Sequence, residues 1–409
     1  MKIEKVSEKQ LQILDFVVSD DLYLICDGAV RSGKTVFMSA AFVIWAMEYY
    51  DRTNFAICGK TVQSAERNVL KPLQENESLP YTMSYKVSTK VLTVRCGAKE
   101  NYFYIFGGKD ESSYMLIQGI TLAGVLFDEV ALMPRSFVEQ ALSRAISFEK
   151  PKYWFNCNPE SPNHYFYKEW LENPKEGTTH LHFLLEDNPI LTPQMIERTK
   201  AMYSGVFYDR YIRGLWVIAE GIIYPMFGKE TTVPTTERKY SRFVISMDYG
   251  IQNPTAMLLW GYCDGVWYQV DEFYHSGRET NRQKTDQEYY EDLERLAGER
   301  AIDSLIIDPS ATSFIALVNQ KKRFRVKKAK NDVVDGIQKT ASAIQMGKIK
   351  VNDCCKRTIK EYGLYSWDQK AAGGDKPIKD NDHAMDATRY FVATMNIMKP
   401  KSEYNSILL

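Results

Sequence analysis

Short apolar runs and longer amphipathic stretches alternate along the first half of the chain. "LYLICDG" (22–28) is an apolar run that ends at an acid and a glycine, the pattern of a buried strand entering a turn. "VFMSAAFVIWAMEYY" (36–50) is too long for a strand and predicts a buried helix. It is too short to cross a bilayer, and Glu48 lies inside it. "NFAICGK" (54–60) predicts a strand and "VQSAERNVLKPL" (62–73) a helix. "YFYIFGG" (102–108), "AGVLFDE" (123–129) and "KYWFNCNP" (152–159) predict short strands bounded by turns. Such alternation predicts an α/β domain whose parallel-type sheet is covered on both faces.

The pattern changes after "FGKETTVPTTERKYS" (Phe227–Ser241). This polar, Thr/Pro-rich stretch is the linker candidate, giving expected domains at 1–226 and 242–409. Three strands then follow in succession, "RFVISMDYG" (242–250), "AMLLWGY" (256–262) and "VWYQVDEFYH" (266–275). Cys263-Asp264-Gly265 supplies a hairpin turn between the last two. A polar helix is expected over Asn281–Leu296. Beyond it come a strand at "SLIIDPS" (304–310), a helix at 312–322, a short strand at 323–329 and a helix at 333–348. Antiparallel strands followed by α/β units predict a mixed sheet. "KAAGGDKPIKDND" (370–382) reads as a Gly/Lys/Asp loop.

Composition narrows the partners. Lys plus Arg and Asp plus Glu both number 52, so no global field draws the chain to nucleic acid or membrane, and such binding must come from local patches. One patch is evident, "KKRFRVKKAK" (Lys321–Lys330), with seven basic residues. It reads either as a solvated edge or as a surface that tracks phosphates. The seven cysteines include no CxxC pair, which points to a reduced compartment and against a zinc site. The charged N-terminus predicts no secretory signal.

The first chemical motif is "GAVRSGKT" (Gly28–Thr35), a full match to G-x-x-x-x-G-K-[ST] placed between a predicted strand and helix. Gly28, Ser32 and Gly33 let the backbone wrap phosphates, and N–H groups at the helix start point at them. Lys34 reaches the β- and γ-phosphates and Thr35 a Mg²⁺ ion. "CGKT" (Cys58–Thr61) lacks the first glycine, since Asn54 stands there, and reads as a strand end. "VLFDE" (Val125–Glu129) places two carboxylates at the end of an apolar strand, where ligands bind in such sheets. Asp128 is expected to hold Mg²⁺ through water and Glu129 to polarise the attacking water. Arg31 and Arg144 are candidates for the transition-state arginine, or ordinary surface charges. Asn158 in "NCNP" (156–159) can sense the γ-phosphate, and Gln10 can read adenine.

The second motif is dispersed. Asp248 and Asp308 each end an apolar strand. Asp386 stands in "NDHAMDATRY" (Asn381–Tyr390), a helix that Asn381 or Asp382 can cap. Three carboxylates from two strands and a helix suit two Mg²⁺ or Mn²⁺ ions about 3.5–4 Å apart, the device that cleaves phosphodiesters. The element order is that of ribonuclease-H-like nucleases. His383 contacts phosphate or tunes the site, and Asp382 is a cap or an outer carboxylate. Asp271, Glu272 and Asp303 lack the strand-end setting and are left out.

Together, "KQLQIL", "GAVRSGKT", "IQGITLAGVLFDEVALMP", "WFNCNPESPNH", "MDYG", "IIDPSA" and "DHAMDATRY" occur in the order that resembles the large terminase subunits of tailed bacteriophages. The resemblance covers nearly the whole chain. It implies a P-loop ATPase joined to an RNase-H-like nuclease. Such a protein packages concatemeric double-stranded DNA into a procapsid at the expense of ATP and cuts it at the start and end. It also implies motor residues Lys34, Thr35, Asp128 and Glu129, nuclease acids Asp248, Asp308 and Asp386, and the family's histidine at His383. Implied partners are DNA, a small terminase subunit, the portal protein and further copies in a ring. The implied location is the bacterial host cytoplasm, docked transiently at the portal, and not the mature virion. Two other readings remain. One is a helicase-type translocase whose second domain only binds DNA; the other is a nucleotide-gated assembly protein.

Overall fold

The computed structural model describes residues 5–250, 254–369 and 375–397. The chain forms two compact units. One comprises residues up to Lys200 with Tyr208–Ile218, and the other Ala201–Phe207 with residues from Ala219 onward.

The first unit is built on β1 (Tyr23–Gly28), β2 (Asn54–Gly59), β3 (Thr82–Lys86), β4 (Val91–Cys96), β5 (Lys99–Gly107), β6 (Gly124–Asp128), β7 (Lys152–Asn156) and β8 (Thr178–Phe183). Their order is β3-β4-β5-β2-β6-β7-β1-β8. From β5 to β8 every pairing is parallel. The central strands are continuous apolar runs because both faces are covered. Alternate residues serve two cores. Leu24, Phe55 and Leu126 pack under the helices Glu8–Val18 and Lys34–Tyr49 with Phe16, Phe42 and Trp45. Ile25, Phe127 and Phe155 pack on the other side with Phe137 and Trp170. The sheet departs from the parallel expectation at one edge, where β3, β4 and β5 form an antiparallel meander. "TMSYK" alternates exposed and half-buried positions on an edge strand, so it carries no apolar run to read.

The second unit holds β9 (Thr232–Val233), β10 (Arg242–Asp248), β11 (Thr255–Cys263), β12 (Val266–His275), β13 (Ile302–Ile307), β14 (Val326–Lys328) and β15 (Ile349–Asn352). The order is β14-β13-β10-β11-β12-β15-β9. β10, β11 and β12 are antiparallel and the outer pairings parallel, the expected mixed sheet. Asp264 and Gly265 turn the β11–β12 hairpin with φ of 49° and 83°, the left-handed pair that two-residue hairpins favour. One face packs Leu293, Phe314 and Val318 of the helices Asp286–Ala297 and Thr312–Lys321. The helix His383–Met395 lies on the other face, where Phe391 stacks on Trp260 with centroids 4.2 Å apart.

Two elements differ from the sequence reading. The stretch expected as a linker, Phe227–Ser241, contributes β9, which pairs with β15, and Phe227 stacks on Tyr362 at 3.8 Å. Two β-branched residues suffice for an edge pairing in an otherwise polar stretch. The polar helix starts at Asp286, because the Thr285 side chain caps it in a reciprocal box with Glu288. Of the loop read over 370–382, residues 370–374 lie outside the described residues. No described helix is long and apolar enough to cross a membrane.

Candidate functional sites

The first unit gathers its predicted residues at the ends of β1, β6 and β7. Gly28 has φ of +119°, and a Cβ there would stand 2.0 Å from the Phe183 carbonyl oxygen. Only glycine lets the chain leave β1 so close to β8. The loop then runs to Gly33, where the helix Lys34–Tyr49 begins. Lys34 is buried, and its Nζ donates to the carbonyls of Gly28 (3.1 Å) and Ala29 (2.7 Å), to Ser32 Oγ (3.3 Å) and to Asn158 Oδ1 (3.2 Å). Burial pulls its pKa down to about 8. Thr35 Oγ1 donates to Asp128 Oδ1 at 3.4 Å. Asn156 Nδ2 donates to both, at 2.7 Å to Thr35 and 2.6 Å to Asp128. Burial raises the Asp128 carboxyl above its ordinary range. A hydroxyl and a carboxylate held together are the hard oxygen donors that suit Mg²⁺.

A cavity of about 600 Å³ opens here, lined among others by Arg31, Lys34, Thr35, Asp128, Glu129 and Asn158. That size suits a small-molecule site. Glu129 leaves β6 with φ of 60°, a strained conformation that begins the short turn Val130–Leu132.

Other expected residues sit differently. Gln10 lies against the loop, since a Cβ on Gly33 would meet its Nε2 at 2.5 Å. Its Oε1, however, accepts from the Ser7 amide at 3.0 Å to close the capping box of the helix Glu8–Val18. Arg144 does not line the cavity. It ends the helix Arg135–Ser143, and its guanidinium donates to Ser143 Oγ at 3.3 Å, so within the chain it has the setting of a helix-end charge.

Sequence reasoning missed several neighbours. Arg67 and Asn68 line the cavity, and Asn68 Nδ2 donates to Asp128 Oδ2 at 3.2 Å. They lie in a π-helical stretch, Glu66–Leu70, a wide turn that re-aims side chains. Behind the loop, buried Asp27 lies 2.8 Å from His180 Nε2 and 2.9 Å from His182 Nδ1, and accepts from Trp216 Nε1 at 2.7 Å. Burial alone would raise this carboxyl, but the two histidines outweigh it and hold it well below its ordinary range. Downstream of Asn158, Glu160 accepts from Arg210 Nη1 at 3.2 Å. Arg210 has 0% exposure, and its Nε donates to the Val217 carbonyl at 3.1 Å.

In the second unit, Asp248 ends β10, Asp308 follows β13, and Asp386 lies in the first turn of the helix His383–Met395. The Tyr390 hydroxyl feels the charge of all three, and burial with those charges raises its pKa. Each acid has protein partners. Asp248 Oδ2 lies 2.9 Å from His383 Nδ1. Asp308 accepts from the Ser310 amide at 2.8 Å and Asn331 Nδ2 at 3.1 Å. Asp386 accepts from Arg389 Nη2 at 2.9 Å and Lys379 Nζ at 3.4 Å. Among the described residues, no three or more His, Cys, Asp or Glu side chains are grouped as a metal-binding cluster. The three expected ligands share the neighbourhood of Tyr390 without being grouped as one such cluster, and Arg389 and Lys379 compensate the Asp386 charge. Burial raises Asp248 against the pull of His383; burial lowers His383, but Asp248 with Asp382 and Glu361 outweighs it and raises the imidazole.

The expected cap is corrected. The Asp382 side chain makes no cap hydrogen bond; its Oδ2 lies 3.2 Å from Lys379 Nζ. Glu361, buried on the helix Lys356–Tyr362, reaches across instead. Its Oε2 accepts from the amides of Ala384 at 2.7 Å and Met385 at 3.3 Å. The acids left out of the site have structural partners. Glu272 accepts from the amides of Arg357 (2.7 Å) and Thr358 (2.9 Å), Asp303 pairs with Arg242 at 2.7 Å, and Asp271 accepts from the Glu272 amide at 2.8 Å.

Comparison with known proteins adds to this geometry. Residues 25–228 match the family described as "Terminase large subunit, T4likevirus-type, N-terminal". The chain is similar to the crystal structure of the large terminase from a thermophilic bacteriophage, with 50% identity over 96% of this chain and 100% of that one, at a TM-score of 0.92. The same thermophilic phage protein in complex with ATP-γ-S gives 49% identity over 96% and 100% of the two chains, at a TM-score of 0.90. The terminase large subunit of Escherichia phage T5 is 22% identical over 289 residues, 66% of this chain. That alignment spans 65% of the T5 protein's own length, just under two thirds.

Proposed function

The chain belongs to the bacteriophage large-terminase family, and from that premise we propose that it is the ATP-driven motor and the nuclease of viral DNA packaging. The observation that carries the motor reading is two hydrogen-bonded sets, Lys34 with Asn158 and Thr35 with Asp128 and Asn156, lining one cavity. The ATP-γ-S and ADP complexes of the thermophilic phage protein support a nucleotide there. Lys34 exchanges loop carbonyls for the β- and γ-phosphates. Thr35 and Asp128 would hold Mg²⁺, which would neutralise phosphate charge. Glu129 takes the proton of the attacking water and Arg31 stabilises the departing charge. Asn158 reports whether the γ-phosphate is present.

In the second unit, Asp248, Asp308 and Asp386 would hold two Mg²⁺ or Mn²⁺ ions, which would stabilise the attacking and leaving oxygens of DNA cleavage. His383 orients Asp248, with Asp382 outside it. Double-stranded DNA is the substrate of both units. The protein docks on the portal in the bacterial cytoplasm as a ring of copies, with a small terminase subunit bringing the DNA.

The test uses the full chain. ATP hydrolysis should rise on adding linear duplex DNA, and plasmid should be cut in Mn²⁺. DNA-stimulated hydrolysis without any cutting would favour a translocase whose second unit only binds DNA. Hydrolysis indifferent to DNA would overturn the motor reading.

A further inference from the structure

The basic run Lys321–Lys330 now has a place. Val326–Lys328 is β14, the edge of the second sheet beside β13, and all seven basic side chains are exposed. Among the described residues, Arg323 alone of the seven pairs with a carboxylate, Glu294 at 3.1 Å. On a chain of zero net charge this is a concentrated positive strip.

Lysines on an edge strand also serve to block edge-to-edge pairing. What distinguishes this strand is where it ends. Lys328 pairs with Ile307, the residue before Asp308, and the Ala329 amide donates to the Ile307 carbonyl at 2.9 Å. The chain then runs along the acid site. The Lys330 amide donates to Thr394 Oγ1 at 2.9 Å, Asn331 Nδ2 to Asp308 Oδ2 at 3.1 Å, and Arg389 Nη1 to the Asn331 carbonyl at 2.8 Å. Arg389 in turn holds Asp386. The strip is thus in fixed register with two of the three acids.

We propose that β14 and its flanks seat the phosphate backbone of duplex DNA and deliver it to the acid site at a set distance from Asp308. The carrier is a juxtaposition, a line of exposed cations whose C-terminal end is hydrogen-bonded into the carboxylate cluster. The proposal rests on the nuclease reading, because the acids give the strip its direction. Phosphate contacts release counterions, so each one steepens the fall of affinity with salt by about 0.9 in a log–log plot.

The full chain carrying Lys327→Gln, Lys328→Gln and Lys330→Gln is compared with wild type and with the three Lys→Arg changes. Binding of a short duplex is measured without nucleotide from 50 to 200 mM salt, roughly the range over which such slopes are read. The Gln variant should lose about 2.7 from the slope, the product of three contacts and about 0.9 each. Plasmid cutting in Mn²⁺ should need more DNA to saturate while reaching the same maximum. The Arg variant should keep both, and ATP hydrolysis without DNA should not change. An unchanged slope with unchanged cutting would overturn the strip and leave the nuclease reading standing. An unchanged slope with new self-association would assign the lysines to edge protection instead. A wild type that cuts nothing, yet whose slope falls in the Gln variant, would overturn the nuclease reading while supporting the strip as a DNA seat.

Discussion

Asn158 Oδ1 accepts a hydrogen bond from Lys34 Nζ at 3.2 Å. This joins Lys34, proposed to grip phosphates, to the strand-end motif two residues before Glu160. On the proposed reading, an arriving γ-phosphate would compete for the same ammonium, and Asn158 would be released or re-aimed as nucleotide binds. Asn158→Ala is therefore expected to hold ATP within about threefold of wild type while turnover falls at least about tenfold. Equal turnover in both proteins would remove Asn158 from the hydrolysis cycle.

Glu129→Gln keeps the shape at the end of β6 but not the base. Hydrolysis should drop by roughly 10²–10⁴, the usual contribution of a positioned base, with nucleotide binding retained. Lys34→Ala should lose both. Radiolabelled phosphate release together with a fluorescent-nucleotide titration separates the two cases. A Glu129→Gln protein that hydrolyses at the wild-type rate would return that carboxylate to a turn-forming role.

Lys152 opens β7 with its ammonium buried against the end of the helix Glu8–Val18. It donates to the carbonyls of Phe16 (2.8 Å), Ser19 (2.9 Å) and Asp21 (2.7 Å). Burial lowers its pKa to about 8. In the unfolded chain the proton is held up to about 10.4. Between those values the unfolded state carries more protons, so stability rises with pH; below pH 8 the cost of the buried charge is fully present. Lys34 shifts in the same sense. The nucleotide-free protein should melt higher at pH 10 than at pH 8 as far as these amines dominate, and Lys152→Met should flatten part of the rise. An identical pH slope in the variant would locate the effect elsewhere.

Glu361 is the acceptor for two amides at the start of the site helix. Glu361→Ala leaves them without that acceptor in a buried setting, a loss of about 1–3 kcal/mol. Denaturant unfolding should show it, and cutting should fall because His383 and Asp386 ride on that turn. Glu361→Gln retains an acceptor oxygen and should recover most of both. Full stability in the alanine variant would show that the contact adds nothing net.

Asp386 is matched to Arg389 and Lys379, which a divalent ion would have to outcompete. Mn²⁺ binding to the folded state alone would raise the melting temperature, with about 2.7 kcal/mol gained at a hundredfold excess over its dissociation constant. Asp386→Asn should abolish cutting and shrink the Mn²⁺ effect. His383→Ala should reduce cutting with a smaller loss of metal stabilisation. Equal stabilisation of wild type and Asp386→Asn, with cutting intact, would make the segment an ordinary helix start.

What could be read from the chain was what is written contiguously. The loop Gly28–Thr35 and the pair Asp128–Glu129 declare themselves because consecutive residues build them. Asn68 escaped notice because its contact with Asp128 depends on a π turn, which no periodicity announces. Glu361 escaped for a related reason. A helix normally takes its cap from its own flank, yet here Asp382 turns to Lys379 and a carboxylate on a separate helix does the work. The edge strand β3 and its neighbour β4 lack the unbroken apolar run that marks β1, β6 and β7, since one of their faces is partly exposed.

Arg210 has a mechanical meaning. Its guanidinium bridges Glu160, two residues after Asn158, to the Val217 carbonyl, and the chain passes out of the first unit after Ile218. The route along the backbone from Asn158 to that exit is long and bends through several elements. The route through Arg210 is two contacts made by one fully buried side chain. A lysine ammonium is a single point charge without the guanidinium's planar fork, so it does not reproduce this bridging geometry. Arg210→Lys is thus expected to keep hydrolysing ATP while DNA movement, followed in a single-molecule pulling assay, weakens; undiminished pulling force would deny the link. On the proposed motor reading, an exit segment pinned this way leaves almost no play in the drive train. The stroke of such a motor would be short, because little of it would be lost as slack within the unit that hydrolyses ATP.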